Sequence, residues 1–344
     1  MDWLQPLEYG WAALAEYLSA HVLTCLVPAF FIAGAIAVFV SQNAVLRYFG
    51  SSAPRPLAYG VASVSGTLLS VCSCTILPLF TGIYKRGAGL GPAIAFLFSG
   101  PAINLLAIVY SAQLLGLEIG VARAVGAVIF AVVIGVSMSW LYRAEERERE
   151  PSDAFAVDAE AEKSRPVTLA YFAALVGILI FGAWGRWVET GVFAAGLVVV
   201  VGRWFSWDEV KAWLLATWDF VKQIAPWLLG GIVVAGIIRG YMPEAWIAAT
   251  VGGNSILANA FASVVGAFFY FATLTEVPIV RSFMDLGMHE GPVLALLLAG
   301  PALSLPNVLV VRSVLGTRKT LSYLVIVVAL ATLVGWTFGT LFVN

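Results

Sequence analysis

Hydrophobic residues occupy the chain in long stretches rather than in the short periodic segments of a soluble fold. A helix that crosses a bilayer needs roughly 20 predominantly apolar residues. The candidate stretches lie at about 20–40, 57–83, 90–115, 120–142, 167–184, 188–203, 222–240, 256–281, 291–315 and 320–342. The pattern predicts an all-α polytopic membrane protein with about ten transmembrane helices. The second, third, eighth and ninth stretches are long and interrupted by Gly and Pro.

Two segments depart from this pattern. Residues 1–19 carry Trp and Leu near helical spacing, which predicts an amphipathic N-terminal helix at the membrane interface. Residues 143–166 are hydrophilic and begin with a run of Arg and Glu, which is typical of a solvated linker.

Composition supports a membrane location. The 344 residues are 61% hydrophobic and 11% charged, and the mean hydropathy is +0.93, whereas soluble domains are about 45–50% apolar and about 25% charged. So few charges exclude a soluble enzyme and a disordered regulator. With a net charge of −1, the chain offers no basic face for nucleic acid. The expected partners are the lipid bilayer and a small-molecule substrate, with a homo-oligomer left open.

Lys and Arg give an expected orientation, because cytoplasmic loops are enriched in them. A cytoplasmic linker at 143–166 predicts a multi-pass protein of the inner or plasma membrane with both termini inside. The cations that fall on the linker side are Lys85, Arg86, Arg203, Lys211 and Lys222. Those that fall on the other side are Arg47, Arg55, Arg318 and Lys319.

An internal repeat divides the chain. A shift of 200 residues aligns 62–106 with 262–306 without gaps, and a third of the aligned positions are identical, nearly half of them Gly or Pro. The alignment predicts two homologous four-helix halves, at 20–142 and 222–344, separated by the linker and a connecting helical pair at 167–221. The halves are parallel if that pair crosses twice and inverted if its short second helix does not cross.

Duplicated halves with Gly/Pro-interrupted spans are typical of secondary transporters, and the interruptions point to the transport site. Pro frees backbone carbonyls, which are tolerated only against protein or a watered cavity. We expect backbone breaks close to Pro78, Pro101, Pro278 and Pro301. The alternative is that Gly and Pro only permit close helix packing. The predicted substrate-binding residues are Cys72, Ser73, Cys74, Thr75, Pro78, Asn104, Thr275, Ser304 and Asn307.

Glu276 is the most anomalous residue, because a carboxylate near the middle of a span costs about 2.5–3.5 kcal/mol and usually marks an ion or proton pathway. We interpret it as the proton-coupling residue. The alternatives are an interfacial acid and a structural partner for Arg281. Ile76 occupies the matching position in the first half, so the fold does not require the acid. Replacement by Gln should therefore preserve the fold and substrate binding while abolishing coupling.

Three motifs carry a family resemblance: Cys-Ser-Cys-Thr-Ile-Leu-Pro-Leu at 72–79, Ser-Gly-Pro-Ala-Ile-Asn at 99–104 and Gly-Pro-Ala-Leu-Ser-Leu-Pro-Asn at 300–307. With them, the chain resembles a family of predicted permeases that includes the ArsP-type exporters of trivalent organoarsenicals. The resemblance covers essentially the whole chain outside the linker and implies a permease.

The thiols suggest a substrate class, because soft centres such as trivalent arsenic prefer thiolate ligands. Cys72 and Cys74 are the candidate ligands, and Cys25 is a candidate third sulfur. The alternative is that they are small buried hydrophobes. Asn104, Ser304 and Asn307 are expected to cap freed backbone ends or to contact substrate.

The leading hypothesis is an exporter of a small thiophilic solute, such as a trivalent organoarsenical, with proton antiport. A carrier for another small solute, with incidental cysteines, and a membrane thiol oxidoreductase are the alternatives. The chain contains no phosphate-binding loop, and we expect neither a cofactor, nor a bound metal, nor an enzymatic activity.

Overall fold

The computed structural model describes residues 5–19, 26–39, 54–69, 73–148, 165–183, 185–241, 250–268 and 276–342, and the regular structure in these ranges is helical. The helices are α1 (Gln5–Tyr17), α2 (Val27–Phe39), α3 (Arg55–Leu69), α4 (Ser73–Lys85), α5 (Leu90–Ala102), α6 (Leu105–Leu114), α7 (Leu117–Leu141), α8 (Arg143–Glu148), α9 (Arg165–Ala183), α10 (Trp187–Trp204), α11 (Trp207–Tyr241), α12 (Ile256–Phe268), α13 (Glu276–Asp285), α14 (Glu290–Leu303), α15 (Leu305–Leu315) and α16 (Thr317–Leu341).

Four of these helices, α7, α10, α11 and α16, are long and apolar enough to cross a membrane unaided. Two pairs, α5 with α6 and α14 with α15, reach the required length together, and each pair is bent by 46° at a short break. The described residues thus contain four to six candidate spans, as expected for an all-helical membrane protein. The predicted number of ten is not confirmed.

In the first half, α5 and α6 form one bent span antiparallel to α7. The start of α5 lies on the end of α7, since a Cβ at Gly91 would be 2.8 Å from the Gly135 carbonyl oxygen. The end of α6 lies on the start of α7, where Gly120 meets Ala112. The face of the protein where α5 begins and α7 ends is called the linker face, because α8 and the linker follow directly.

Helix α3 begins at the linker face and runs inward beside α5. Near its start, the Tyr59 hydroxyl occupies the space where Gly91 would carry a Cβ. One turn further, the Ala62 carbonyl accepts a hydrogen bond from Ser99 Oγ near the inner end of α5.

Helix α4 runs back to the linker face. Ile76, near its start, packs on Gly100, and a turn at Gly87 (φ 101°) leads from its end into α5. This φ lies in the left-handed region, which glycine adopts without steric cost. Helices α3 and α4 therefore enter and return at the same face, so the prediction that the 57–83 stretch crosses is wrong. Hydropathy alone does not separate one apolar span from two half-length helices.

The end of α7 also meets the start of α16. The Tyr142 hydroxyl donates to the Arg318 carbonyl at 3.1 Å, and the Arg318 guanidinium pairs with Glu145 at 3.2 Å. Helices α7 and α16 are therefore antiparallel. The face where α16 ends, at Leu341, is called the terminal face.

In the second half, helix α12 begins near the terminal face. Asn254, just before α12, occupies the space beside Gly291 at the start of α14. At the other end of α12, a Cβ at Gly266 would be 3.3 Å from the Gly300 backbone. A turn at Gly287, again with φ 101°, joins the end of α13 to α14. Helices α12 and α13 thus enter and return at the terminal face, so the 256–281 stretch does not cross either.

Helix bounds follow the same offset as the sequence alignment. Helices α14, α15 and α16 begin 200 positions after α5, α6 and α7 respectively. Because α7 and α16 are antiparallel, these equivalent helices run in opposite directions.

The expected orientation needs two corrections. Arg318 and Lys319, which the cation count placed across the membrane from the linker, both pair with Glu145 at the linker face. Helix α16 then carries the chain to the other face, so the prediction that both termini lie on the side of the linker is wrong for the C terminus. Charge counting failed because it took the two returning stretches for spans.

The predicted N-terminal segment 1–19 contains α1. The predicted connecting segment 167–221 contains α10 and most of α9 but ends inside α11, so its boundary with the second half does not coincide with a helix end. Helix α1 packs on α11, with Gly10 against Val233, and keeps Leu7 and Trp11 exposed. Helices α9 and α10 form a hairpin, and α10 buries none of its residues.

Opposite-face placement can be tested with single cysteines in a variant whose three native cysteines are replaced by serine. We expect Glu145→Cys and Phe342→Cys to react with a membrane-impermeant maleimide from opposite sides of sealed vesicles, because α16 separates them. Both sites should react after detergent is added. Labelling of both from one side would contradict the antiparallel arrangement of α7 and α16.

Candidate functional site

A buried ion pair joins the two halves of the protein. Arg123 Nη2 of α7 lies 2.9 Å from Glu276 Oε2 of α13, and the two side chains are 0% and 1% exposed. Arg123 belongs to the first half and Glu276 to the second. The contact therefore couples the α7 span to the inner end of the α12–α13 hairpin.

The pair lies deep in the protein. A Cβ at Gly300 would be 3.2 Å from Glu276 Oε1, so the carboxylate is level with Gly300 on α14. Ten residues separate Gly300 from the start of α14 at Glu290, which corresponds to about 15 Å of helix. That is half the thickness of a bilayer core of about 30 Å.

Ser111 binds the second terminal nitrogen of the Arg123 guanidinium. Arg123 Nη1 donates to Ser111 Oγ at 2.9 Å, and Ser111 Oγ donates to the Ala107 carbonyl at 2.7 Å. Either charge alone at this depth would cost about 2.5–3.5 kcal/mol by insertion scales. Pairing offsets that cost and fixes the position of both side chains.

This network is present once, not twice. The positions equivalent by the 200-residue offset to Ser111, Arg123 and Glu276 hold Val311, Tyr323 and Ile76. The charges therefore distinguish the α12–α13 hairpin from the α3–α4 hairpin, although the helices around them have matching bounds.

The alternative partner for Glu276 is wrong, because Arg281 Nε instead pairs with Asp285 at 3.0 Å on an exposed face of α13. The true partner, Arg123, was missed. It is a cation inside the apolar 120–142 stretch, so the rule that singled out Glu276 also applies to it. The expectation that Glu276→Gln preserves the fold must change, since the variant leaves Arg123 buried without its partner.

The break between α14 and α15 carries further polar atoms. Ser304 occupies the break and is 2% exposed. Asn307 is equally buried and donates from Nδ2 to the Pro301 carbonyl at 3.0 Å. Among the described residues, Ser304 Oγ, Asn307 Oδ1 and Glu276 Oε1 have no hydrogen-bond partner. Buried polar atoms rarely stay unpaired, so this region is suited to bind water or a polar solute.

The break between α5 and α6 contains Asn104, whose Oδ1 accepts from the Ala107 backbone N–H at 3.2 Å. This bond caps the first turn of α6. Asn104 and Asn307 thus both satisfy backbone groups next to a helix break. Their contact with substrate stays a prediction.

Two of the four prolines lie next to a break. Helices α5 and α14 end within two residues of Pro101 and Pro301. Helix α4 continues through Pro78, contrary to the expected break, and Pro278 lies in the first turn of α13, where no intrahelical N–H bond is lost.

The described part of the cysteine motif, from Ser73 onward, begins α4 at the inner end of the α3–α4 hairpin. Ser73 and Cys74 begin α4, and the following Thr75 is fully buried. Cys25, Cys72, Thr275 and the side chains of Ser73 and Cys74 are outside what the structure describes, so the thiol site stays a prediction. The described residues contain no group of three or more His, Cys, Asp or Glu side chains that could hold a metal ion.

Broken helices and returning hairpins at the depth of a membrane are typical of membrane transporters. The chain belongs to the predicted permease family ArsP_1, whose model matches residues 10–340.

Curated relatives match along most of the chain. It is 45% identical to UPF0718 protein MJ0584 of Methanocaldococcus jannaschii, over 95% of this chain and 94% of that protein. It is 23% identical to UPF0718 protein YraQ of Escherichia coli, over 90% of this chain and 74% of that protein. No solved structure matches the chain.

Single and double substitutions test the ion pair. We expect Arg123→Gln and Glu276→Gln each to destabilise the protein by about 3–5 kcal/mol, because each leaves an uncompensated buried charge. In the double variant, most of the lost free energy of unfolding should be recovered. Unfolding of the variants and the wild-type protein in detergent measures these free-energy differences. Arg281→Gln, which removes an exposed pair on the same helix, is the control and should cost at most about 1 kcal/mol. Additive losses in the double variant would show that the pair does not form.

Proposed function

We propose that the protein is a secondary transporter that exports a small thiophilic solute, such as a trivalent organoarsenical, in exchange for protons. The observation that carries this proposal is the buried Arg123–Glu276 pair beside a broken span that holds unpaired polar atoms. Such residues within membrane spans usually face a pathway for ions or substrates. A purely structural helical bundle would gain nothing from charges at this depth.

In this proposal the two halves are inverted repeats that alternately open the solute site to the two faces. Supporting it are the 200-residue offset of the helix bounds and the antiparallel contact of α7 with α16. Transporters of this kind place their site where discontinuous helices of the two repeats meet. The breaks that hold Asn104 and Ser304 supply such helix ends.

The proposed orientation places the linker face in the cytoplasm of a cell with an inner or plasma membrane. Lys85, Arg86, Arg318 and Lys319 lie at that face, as the enrichment of cytoplasmic loops in cations favours. The C terminus then lies outside.

Proton coupling follows from competition for Glu276. In the resting state its carboxylate is bound to Arg123, and this contact holds the first turn of α13 against α7. A proton on the carboxyl removes the charge and weakens that tie, so the tip can move and open the site. Return of the proton to water on the other side restores the pair. One solute molecule moved outward would thus accompany one proton moved inward.

The thiols supply the solute preference in this proposal. Cys74 is the second residue of α4, which begins at the inner end of the α3–α4 hairpin, and Cys72 precedes it by two residues in the sequence. Soft arsenic or metal centres prefer thiolate over oxygen ligands. The family resemblance to exporters of trivalent organoarsenicals points the same way.

Everted vesicles or proteoliposomes test the coupling. A pH gradient should drive accumulation of a trivalent methylarsenical, measured as arsenic by mass spectrometry. Both Glu276→Gln and the double variant with Arg123→Gln should lose this accumulation by about tenfold or more, the scale of typical coupling free energies. The double variant, which leaves no unpaired charge, separates loss of coupling from loss of folding. Unchanged gradient-driven transport in that variant would assign coupling to another group.

The cysteines can be tested by protection. If Cys72 and Cys74 contact the solute, a small thiol reagent should label them, and the methylarsenical should protect them. Replacing both by serine should abolish transport of the arsenical while leaving the protein folded, and Cys25→Ser tests the candidate third sulfur separately. Equal transport by the serine variant would favour a carrier for another solute. Loss of every activity, including that toward solutes without a soft centre, would favour a thiol oxidoreductase.

A further inference from the structure

A second set of buried polar side chains begins at the terminal face and lies outside the site described above. Asn259 Nδ2 donates to Asn254 Oδ1 at 3.0 Å, and Ser263 Oγ donates to the Asn259 carbonyl at 2.9 Å. Thr332 Oγ1 of α16 lies 3.5 Å from Ser263 Oγ. We call Asn254, Asn259, Ser263 and Thr332 the polar row. Its outermost member, Asn254, is half-buried, and the other three are buried.

The polar row leads toward Glu276. Asn259, Ser263 and Gly266 follow one another at spacings of four and three residues, so they share one face of α12. Gly266 packs directly on Gly300, and Gly300 in turn lies beside Glu276 Oε1. Between Ser263 and the carboxylate, this contact is formed by two glycines, whose lack of side chains brings the backbones of α12 and α14 together.

Two acceptors along this route are unsatisfied among the described residues. Asn259 Oδ1 is buried without a hydrogen-bond partner among the described residues, and the same is true of Glu276 Oε1. The two oxygens of the carboxylate have different neighbours, since Oε2 contacts Arg123 of α7 while Oε1 lies beside α14. A buried water needs two to four polar partners, and these oxygens together with the hydroxyls of the polar row supply them.

In the first half, the space that corresponds to the outer part of the polar row is filled by an aromatic side chain. There the Tyr59 side chain occupies the notch formed by Gly91 and Gly135. In the second half, amides take that place, with Asn254 beside Gly291 and Asn259 beside Gly335. Thr332 likewise has Val132 as its counterpart. At these counterpart positions, the additional polar side chains thus occur in the half that contains Glu276.

We infer that the polar row is the route by which protons reach Glu276 from the terminal face. This inference rests on the proposed function and names the residues that serve it. A proton from bulk water passes along waters held by the amides and hydroxyls and binds to Glu276 Oε1, which neutralises the carboxylate and releases Arg123. In the proposed orientation this face is external, the side from which a proton gradient drives protons inward.

Other charged groups around Glu276 do not offer a competing route in the described residues. Helix α7 presents Arg123, which is paired with Glu276, and Glu118, which is exposed in its first turn. Helix α6 has Tyr110 as its sole titratable side chain, and α14 has Glu290, at its outer end. Arg281 and Asp285 of α13 pair with each other. At the mouth of the route, His289 Nδ1 accepts from the Gly291 N–H next to Asn254.

Isosteric substitutions in proteoliposomes provide the test. Thr332→Val and Ser263→Ala remove hydroxyls with little change in shape, and Asn259→Leu removes the amide. For each variant, two transport rates are measured with the trivalent methylarsenical. The first is the rate of accumulation driven by a pH gradient, and the second is the rate of exchange at equal pH on both sides. We expect the row variants to slow gradient-driven accumulation by about tenfold or more while exchange continues at the wild-type rate. Ser63→Ala, at the counterpart of Ser263, is the matched control and should change neither rate.

The outcomes separate this inference from the proposed function. If the wild-type protein shows gradient-driven transport and the row variants retain it, protons reach Glu276 elsewhere and the inference is wrong. If the variants lose both rates equally, the row is structural and the inference is again wrong. Absence of gradient-driven transport in the wild-type protein would overturn the proposed proton coupling and the route with it. Selective loss in Thr332→Val or Ser263→Ala supports the route even if Asn259→Leu does not fold.

Discussion

A charge in the middle of a bilayer must be paired, and this requirement organises the centre of the protein. Arg123 and Glu276 come from different halves, so neither half can complete its own interior without the other. The cost of leaving either charge alone, about 3–5 kcal/mol in buried pairs, is a large part of the stability of a typical domain. The tip of α13 is consequently held by the same contact that a transporter would need to break.

Close backbone contacts hold the rest of the frame. Apolar attraction between helices is weak in lipid, so association depends on packing and on polar contacts. The glycine pairs Gly91–Gly135 and Gly291–Gly335 let α5 lie on α7 and α14 lie on α16 with backbone atoms in contact. These contacts fix which helix ends share a face. They thereby determine that the α3–α4 hairpin enters the protein from the linker face and the α12–α13 hairpin from the terminal face.

The sequence predicted the helical class, the permease resemblance and the region of the breaks, since these depend on local properties such as apolar length and the position of Pro. It did not predict that 57–83 and 256–281 return to the face where they began. A half-length helix pair and a full span contain the same number of apolar residues, and the difference appears only when Tyr59 is seen beside Gly91 and Asn254 beside Gly291. The orientation of Arg318 was wrong for the same reason. Arg123 was missed because Arg281, a cation close to Glu276 in the sequence, was taken as the alternative partner, whereas Arg123 is 153 residues away.

The two glycine notches also bear on protein engineering. One notch is filled by the Tyr59 ring, and the other is filled by the amides of Asn254 and Asn259, yet the helices around both have matching bounds. The backbone geometry is therefore compatible with quite different fillers, provided that the glycines remain. An engineer could exchange the fillers between the halves and leave the frame untouched. Such an exchange would place polar side chains beside the glycines of the first half and an aromatic side chain beside those of the second half. The notch is therefore a position at which the access of water to the interior from one side of the membrane could be redesigned.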